Sequence, residues 1–194
     1  MKPGTKVQLR AELLAARRAV ADAIRADESL ALCEHLKWIV NSGDTVCAYV
    51  PVGSEPGSIA LLDTLLRLGA RVLVPVARGV EGDTALPLRW GEYAPGNLVA
   101  APFGLLEPAE PWLPAAALAE AGLVLVPSLA VDRRGVRLGR GAGFYDRSLG
   151  LRDPAARLVA VVRDEELVDE LPSEPHDVRM THALTPGLGF VKLA

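Results

Sequence analysis

The densest run of residues able to do chemistry is Arg137-Leu138-Gly139-Arg140-Gly141-Ala142-Gly143-Phe144-Tyr145-Asp146. Glycine stands at every second position from 139 to 143. Without Cβ atoms in the way, successive backbone N–H groups there can converge into a nest for an anion. Residues Phe144 to Leu149 read as the opening of a helix, whose N-terminus adds free N–H donors and positive potential. Arg137 and Arg140 supply charged donors that match phosphate oxygens. Asp146 reads in two ways: a capping residue in a first helical turn, or a carboxylate for magnesium beside a phosphate nest. The run is not a Walker A loop, because no Gly-Lys-Ser/Thr follows, and its spacing is not the dinucleotide fingerprint. Taken alone it also describes a flexible turn with solvated arginines. Fixing alternate glycines costs entropy, so the loop is expected to be mobile before its anion arrives.

The elements that must position this loop read as α/β. Lys6 to Arg25 has helical periodicity, with Val7, Leu9, Leu13, Leu14 and Val20 near one face and Arg10, Arg17 and Arg18 between them. A second helix is predicted from Glu28 to Val40, stopping at Asn41-Ser42-Gly43. Apolar, β-prone runs follow at Thr45–Val50, Arg71–Val74 and Gly122–Val126, each ending in Val-Pro. Between the first two lies a helix, Ile59 to Leu68, closed by Gly69, which makes a strand–helix–strand unit with parallel strands. Leu86–Trp90, Arg157–Val162, Met180–Leu184 and Phe190–Leu193 are further strand candidates, and the Pro-containing stretch from Ala94 to Pro114 reads as an ordered loop. The expectation is a three-layer α/β/α single domain over residues 1–194 with a largely parallel sheet and N-terminal helices. Ligands of such sheets bind beyond the carboxyl ends of the strands, so the residues after Val50, Val74 and Val126 are where chemistry is expected.

Composition narrows the class. Half of the 194 residues are hydrophobic, enough for a substantial core, and the net charge of -3 gives no sign of nucleic-acid or membrane-surface binding. Cys33 and Cys47 show no metal or redox spacing and read as buried thiols of a reducing compartment. The histidines lack ligand spacing for zinc. The N-terminus carries no signal-peptide core, and Glu120 interrupts the apolar stretch from Ala115 to Val126, so a cytoplasmic chain is expected.

Pro127-Ser128-Leu129-Ala130-Val131-Asp132, followed by Gly135-Val136 and the glycine run, resembles the 5-formyltetrahydrofolate cyclo-ligase family. The likeness continues in order along the chain: Lys6 and Arg10 on the first helix, Glu55 in the loop after a strand, Phe103-Gly104-Leu105-Leu106-Glu107-Pro108, then His176-Asp177 and Thr185-Pro186. The resemblance implies an ATP- and magnesium-dependent ligase that converts 5-formyltetrahydrofolate to 5,10-methenyltetrahydrofolate, with ADP and phosphate released. It implies that Lys6, Arg10 and the segment Arg137 to Tyr145 hold ATP, with Arg140 nearest the transferring phosphoryl group as the catalytic residue. It places Val50, Glu55, Phe103 and Tyr145 at the folate and gives magnesium to Asp146 and Asp177. A monomer is expected.

Phe144 stands where the family often has tyrosine, and Ala142 where it often has Gly or Lys. These two departures motivate the alternative of a catalytically silent folate- or nucleotide-binding module of the same fold. A sugar-phosphate or CoA-handling enzyme of related architecture is a more distant reading, in which the Lys6–Arg10 pair has no evident role.

Overall fold

The computed structural model describes the backbone of residues 5–78, 80–81, 84–174 and 177–194, with the side chains of all these but Val80, Glu81, Thr84 and Phe103. In chain order the elements are α1 (Lys6–Ala19), α2 (Asp22–Leu36), β1 (Thr45–Cys47), α3 (Ile59–Arg67), β2 (Arg71–Val76), β3 (Val80–Glu81), β4 (Thr84–Ala85) and β5 (Arg89–Glu92). There follow β6 (Leu98–Ala100), β7 (Leu106–Pro108), β8 (Leu123–Pro127), β9 (Ala130–Asp132), β10 (Arg137–Leu138), α4 (Phe144–Ser148), β11 (Arg157–Val161), β12 (Leu167–Val168), β13 (His182–Thr185) and β14 (Gly189–Lys192).

The main sheet has seven strands in the order β14-β13-β11-β8-β1-β2-β5. Neighbours from β13 to β2 run parallel, and β14 and β5 close the edges antiparallel. Burial on both faces explains why the strands are continuous apolar runs. Leu123, Leu125, Val159 and Val161 point to one face, beneath Leu32, Leu36, Leu61 and Leu65 of α2 and α3. Val124, Val126, Leu158 and Ala160 point to the other, where Ala117, Leu118 and Leu149 cover them. That second layer is made of 3₁₀ turns, Ala115–Glu120 and Leu149–Leu151, and the five-residue α4. The chain leaves β1 toward β2 on one side and later builds β8, β11 and β13 on the other, so the strand order reverses beside β1.

Several boundaries differ from the sequence reading. The helix expected to run to Arg25 stops at Ala19, because Val20 and Ala21 adopt extended backbone and Asp22 opens α2. Val7 is 71% exposed, while Leu9, Leu13 and Leu14 pack on a small cluster beneath the sheet β10-β9-β12. Arg17, one of the arginines set between those apolar positions, is 2% exposed. β2 runs through Pro75 to Val76. Pro75 faces Trp90, whose N–H and C=O turn away to Leu113 at 3.2 and 2.7 Å, so the missing proline N–H removes no ladder bond. The strand expected at Leu86–Trp90 lies at Arg89–Glu92, and the stretch from Ala94 to Pro114 carries the hairpin β6–β7. Among the described residues no helix is long and apolar enough to cross a membrane.

Gly135 turns the chain from β9 into β10 and so aims the glycine run. Its φ is +84°, and a Cβ there would lie 2.3 Å from the Met180 carbonyl oxygen. Gly135→Ala is expected to destabilise the fold by about 2–3 kcal/mol, since it adds a left-handed alanine and a backbone clash. Urea unfolding would measure it, and a loss below the error of the fit would mean that the turn relaxes freely.

Candidate active site

A cavity of about 190 Å³ opens at the carboxyl ends of β1, β2 and β8, beside the reversal of strand order. Tyr49 and Val50 enter it from β1, Pro75 and Ala77 from β2, and Pro127 and Ser128 from β8. The glycine run and α4 form another wall, with Gly139 to Asp146 all lining the cavity. Most of the surface is apolar, so each polar group in it stands out.

Glu55 is the first of these, with a side chain 8% exposed. Its loop is held from two directions: Glu55 Oε2 accepts the Val52 N–H at 3.1 Å, and the Tyr49 hydroxyl donates to the Pro56 carbonyl at 2.5 Å. Glu55 Oε1 lies 3.1 Å from Arg140 Nε, and Arg140 is 46% exposed. The carboxylate is thus inside and its cationic partner reaches solvent. Burial raises the Glu55 pKa, against the opposing pull of Arg140, the Val52 N–H and Arg17. The Tyr145 hydroxyl is buried and lacks a hydrogen-bond partner among the described residues. Burial first, and the Glu55 charge next, push its pKa up, with Arg137 opposing, so it remains a proton donor.

The cations of the glycine run are paired. Arg137 binds Asp146 and donates to the Pro127 carbonyl at 3.3 Å. From α1, Arg10 Nε donates to the Gly139 carbonyl at 2.9 Å, and Lys6 Nζ lies 3.2 Å from Asp177 and 3.4 Å from Glu174. Gly141 and Gly143 take φ of +102° and +79°, and Gly143 caps α4, so these glycines are where the turn needs them.

Val50, Glu55, Gly139, Arg140, Gly141, Ala142, Gly143, Phe144, Tyr145, Arg137 and Asp146 therefore share one cavity. Lys6, Arg10 and Asp177 stand outside its lining; Arg10 reaches it through the Gly139 carbonyl and lies beside Gly141. Leu138 faces the core with Leu129, Ala130, Val136 and Leu171. The backbone of Phe103 lies in the 3₁₀ turn Pro102–Gly104, while its side chain, like the whole of His176, lies outside the described residues. Among the described residues no group of three or more His, Cys, Asp or Glu side chains forms a metal cage.

Two lining residues escaped the sequence reading. Arg17 donates from Nε and Nη2 to both oxygens of Glu166, at 2.6 and 2.7 Å, and from Nη2 to the Ser128 carbonyl at 2.5 Å. The signal was available, since Arg17 follows Lys6 and Arg10 by 11 and 7 residues, within about 40° of one helix face. Glu107 had been noted only as a motif match, and it is 1% exposed at the cavity wall.

The Arg17–Glu166 pair is side-chain buried on both partners, at 1% and 3% exposure. Arg17→Met is expected to cost about 3–5 kcal/mol by stranding the Glu166 charge, and a second change, Glu166→Met, should recover most of it. Chemical denaturation of the single and double variants checks this, and equal losses in the two would count against a charge effect. For Glu55, the folded carboxyl keeps its proton to a higher pH than the unfolded one, whose ordinary value is 4.5. Stability therefore rises as pH falls through the raised value toward 4.5 and carries the burial penalty above it. Glu55→Gln should raise Tm at alkaline pH and flatten the Tm–pH profile just above the usual carboxylate range; an unaltered profile would contradict the burial.

The protein resembles known proteins along its whole length. The family model described as the 5-formyltetrahydrofolate cyclo-ligase family matches residues 2–186. A Mycolicibacterium smegmatis protein named 5-formyltetrahydrofolate cyclo-ligase is 63% identical over 193 residues, covering 100% of both chains. An Escherichia coli protein of the same name is 29% identical over 143 residues, 73% of this chain and 78% of that one. Among solved structures, the Aquifex aeolicus 5,10-methenyltetrahydrofolate synthetase superposes with a TM-score of 0.77 at 23% identity, covering 97% of this chain and 93% of the other, a likeness of fold. The glycine run and the loop of Glu55 thus stand within a match that spans nearly the whole chain, and the chain belongs to the 5-formyltetrahydrofolate cyclo-ligase family.

Proposed function

We propose that this chain converts 5-formyltetrahydrofolate to 5,10-methenyltetrahydrofolate, consuming ATP with magnesium and releasing ADP and phosphate. The observation that carries the reading is the Glu55–Arg140 contact, 3.1 Å long, at the junction of an apolar cavity with a glycine nest. A buried acid suits the polar edge of a folate ring held among apolar side chains. An exposed arginine in a nest suits a phosphoryl group. The reaction needs those two ligands to meet, and these residues meet.

A formamide oxygen is a poor leaving group. On this reading the formyl oxygen attacks the terminal phosphorus of ATP, the bond to ADP breaks, and an iminium phosphate forms. N10 of the folate then attacks the one-carbon centre. A C–N bond forms, the C–O bond to phosphate breaks, and N10 gives up its proton. Arg140 neutralises charge on the transferring group, and the N–H groups of residues 139–143 with Arg137, Arg10 and Lys6 hold the remaining phosphates. Glu55 orients the folate, Val50 packs against it, and the unpartnered Tyr145 hydroxyl donates to a ligand oxygen. The protein's work is to position the partners and exclude water from the phosphorylated intermediate.

The donor set fits a magnesium ion that arrives on phosphate. The ion keeps several waters and takes one or two carboxylates plus phosphate oxygens, so it needs no complete protein cage. Asp146, in the cavity and 45% exposed, would be one such carboxylate, and Asp177, outside the lining beside Lys6, would be the second. When bound, the ion would offset charge on the phosphates. Arg137 must release Asp146 for this to happen.

The experiment is growth of the methenyl-folate absorbance with purified protein, 5-formyltetrahydrofolate, ATP and magnesium. ATP-dependent growth is expected, with kcat falling about 100-fold in Arg140→Ala. ATP binding without turnover would transfer the assignment to a silent binding module, with Phe144 and Ala142 as the first residues to revert.

A further inference from the structure

Glu107 is a carboxylate that the chemistry above does not use, yet it is buried in the cavity wall. Its Oε1 accepts the Ala77 N–H at 2.7 Å and its Oε2 takes Arg78 Nε at 2.6 Å. Ala77 and Arg78 are the first residues beyond β2, so one side chain of the hairpin β6–β7 grips the exit of a main-sheet strand. A carboxylate is expensive to bury unless its oxygens are satisfied, and a side chain that served only packing would be apolar.

Neighbouring contacts hold the same hairpin to the sheet. The Pro108 ring lies so close to Gly91 that a Cβ there would come within 2.3 Å of its Cγ. Trp112 Nε1 donates to the Pro108 carbonyl at 2.9 Å, and the Arg78 guanidinium stacks 5.0 Å above the Trp112 ring. What the hairpin shows the cavity is apolar: Leu105 and Leu106 line it, and Leu106 remains 38% exposed. They share the space with Phe144 and Tyr145, which suits the faces of a flat bicyclic ring.

We propose that Glu107 is a positioning residue: its clamp on Ala77 and Arg78 sets the height of an apolar roof, Leu105–Leu106, over the ring system of the folate. It therefore governs affinity for the folate and not for the nucleotide, whose cations stand on α1 and the glycine run. The inference rests on the folate reading of this cavity.

Steady-state kinetics on Glu107→Gln, Arg78→Met and the double variant test it. Glu107→Gln keeps an acceptor for the Ala77 N–H and drops the charge that faces Arg78. KM for 5-formyltetrahydrofolate should rise about tenfold, while kcat and KM for ATP stay within about twofold. The double variant should be no worse than the worse single, because both remove one interaction. Amide exchange reads the clamp without turnover: Ala77 and residues 105–107 should exchange about tenfold faster in Glu107→Gln, with α3 and the central strands still protected. Equal rises in both KM values, or losses that simply follow Tm across the variants, would reduce Glu107 to scaffold and overturn the proposal, as would unchanged exchange at Ala77. Failure of the wild-type chain to turn over 5-formyltetrahydrofolate would instead count against the folate reading, and the exchange difference would still decide whether Glu107 holds the roof.

Discussion

The buried Arg17–Glu166 pair is the constraint on which the site's geometry depends. α1 lies outside the two faces of the main sheet and rests on the small β10-β9-β12 sheet through Leu9, Leu13 and Leu14, a thin apolar contact for a helix of 14 residues. Such a contact leaves rotation and sliding poorly determined. Arg17 supplies what the apolar contact lacks. Its planar fork fits Glu166 in one orientation and at the same time binds the Ser128 carbonyl just beyond β8. Glu166 is itself tied by the Arg163 N–H at 2.8 Å, after β11. One guanidinium thus registers α1 against the ends of two adjacent strands, and Lys6 and Arg10 are aimed as a consequence. Desolvation offsets much of the Coulomb gain in a pair this dry, so its effect lies more in orientation than in net stability.

Charge in the free site is neutralised internally. Arg137 faces Asp146, Arg140 faces Glu55, Lys6 faces Asp177, and Arg10 holds the Gly139 carbonyl. These pairings keep flexible cations ordered around the glycine run and avoid an open cluster of positive charge. They also make binding an exchange of partners. On the proposed reading, phosphate takes Arg140 from Glu55, and the acid loses the cation that opposes its burial. Folate donors can then satisfy Glu55 in place of Arg140. Two ligands that each release the other's partner group are favoured together over either alone, by the general reciprocity of linked binding.

What could be read from the sequence was what local rules govern. The parallel strands announced themselves as apolar runs, three of them with Val-Pro exits, because both their faces are buried, whereas the spacing of the glycine run left an anion nest and a flexible turn both open. The break at Val20 had no glycine or proline to mark it; it follows from tertiary placement of α1 and α2. Pro75 read as a strand end because its lost N–H is costly only when a partner needs it, and Trp90 turns to Leu113 instead. The burial of Arg17 and Glu107 was not legible, because burial of an ion depends on a partner 149 residues away in one case and 29 or 30 in the other. No window of local sequence contains those pairs.

The same separation of local and distant constraint explains how a loop of glycines can serve a site that must be ordered. The turn before it is over-determined: buried Asp132 accepts the Arg134 and Val136 N–H groups at 2.9 Å each and the Leu171 N–H at 3.0 Å, while Met180 bonds Gly135 at 2.8 Å. The segment after it is fastened by Ser148, whose Oγ donates to the Phe144 carbonyl at 2.6 Å and accepts the Leu88 N–H at 2.8 Å. The glycine run is thereby strung between two fixed points, Leu138 and Phe144. On the proposed reading, a segment so short costs little entropy to order on a ligand compared with a long lid, and its N–H groups adjust to the phosphate.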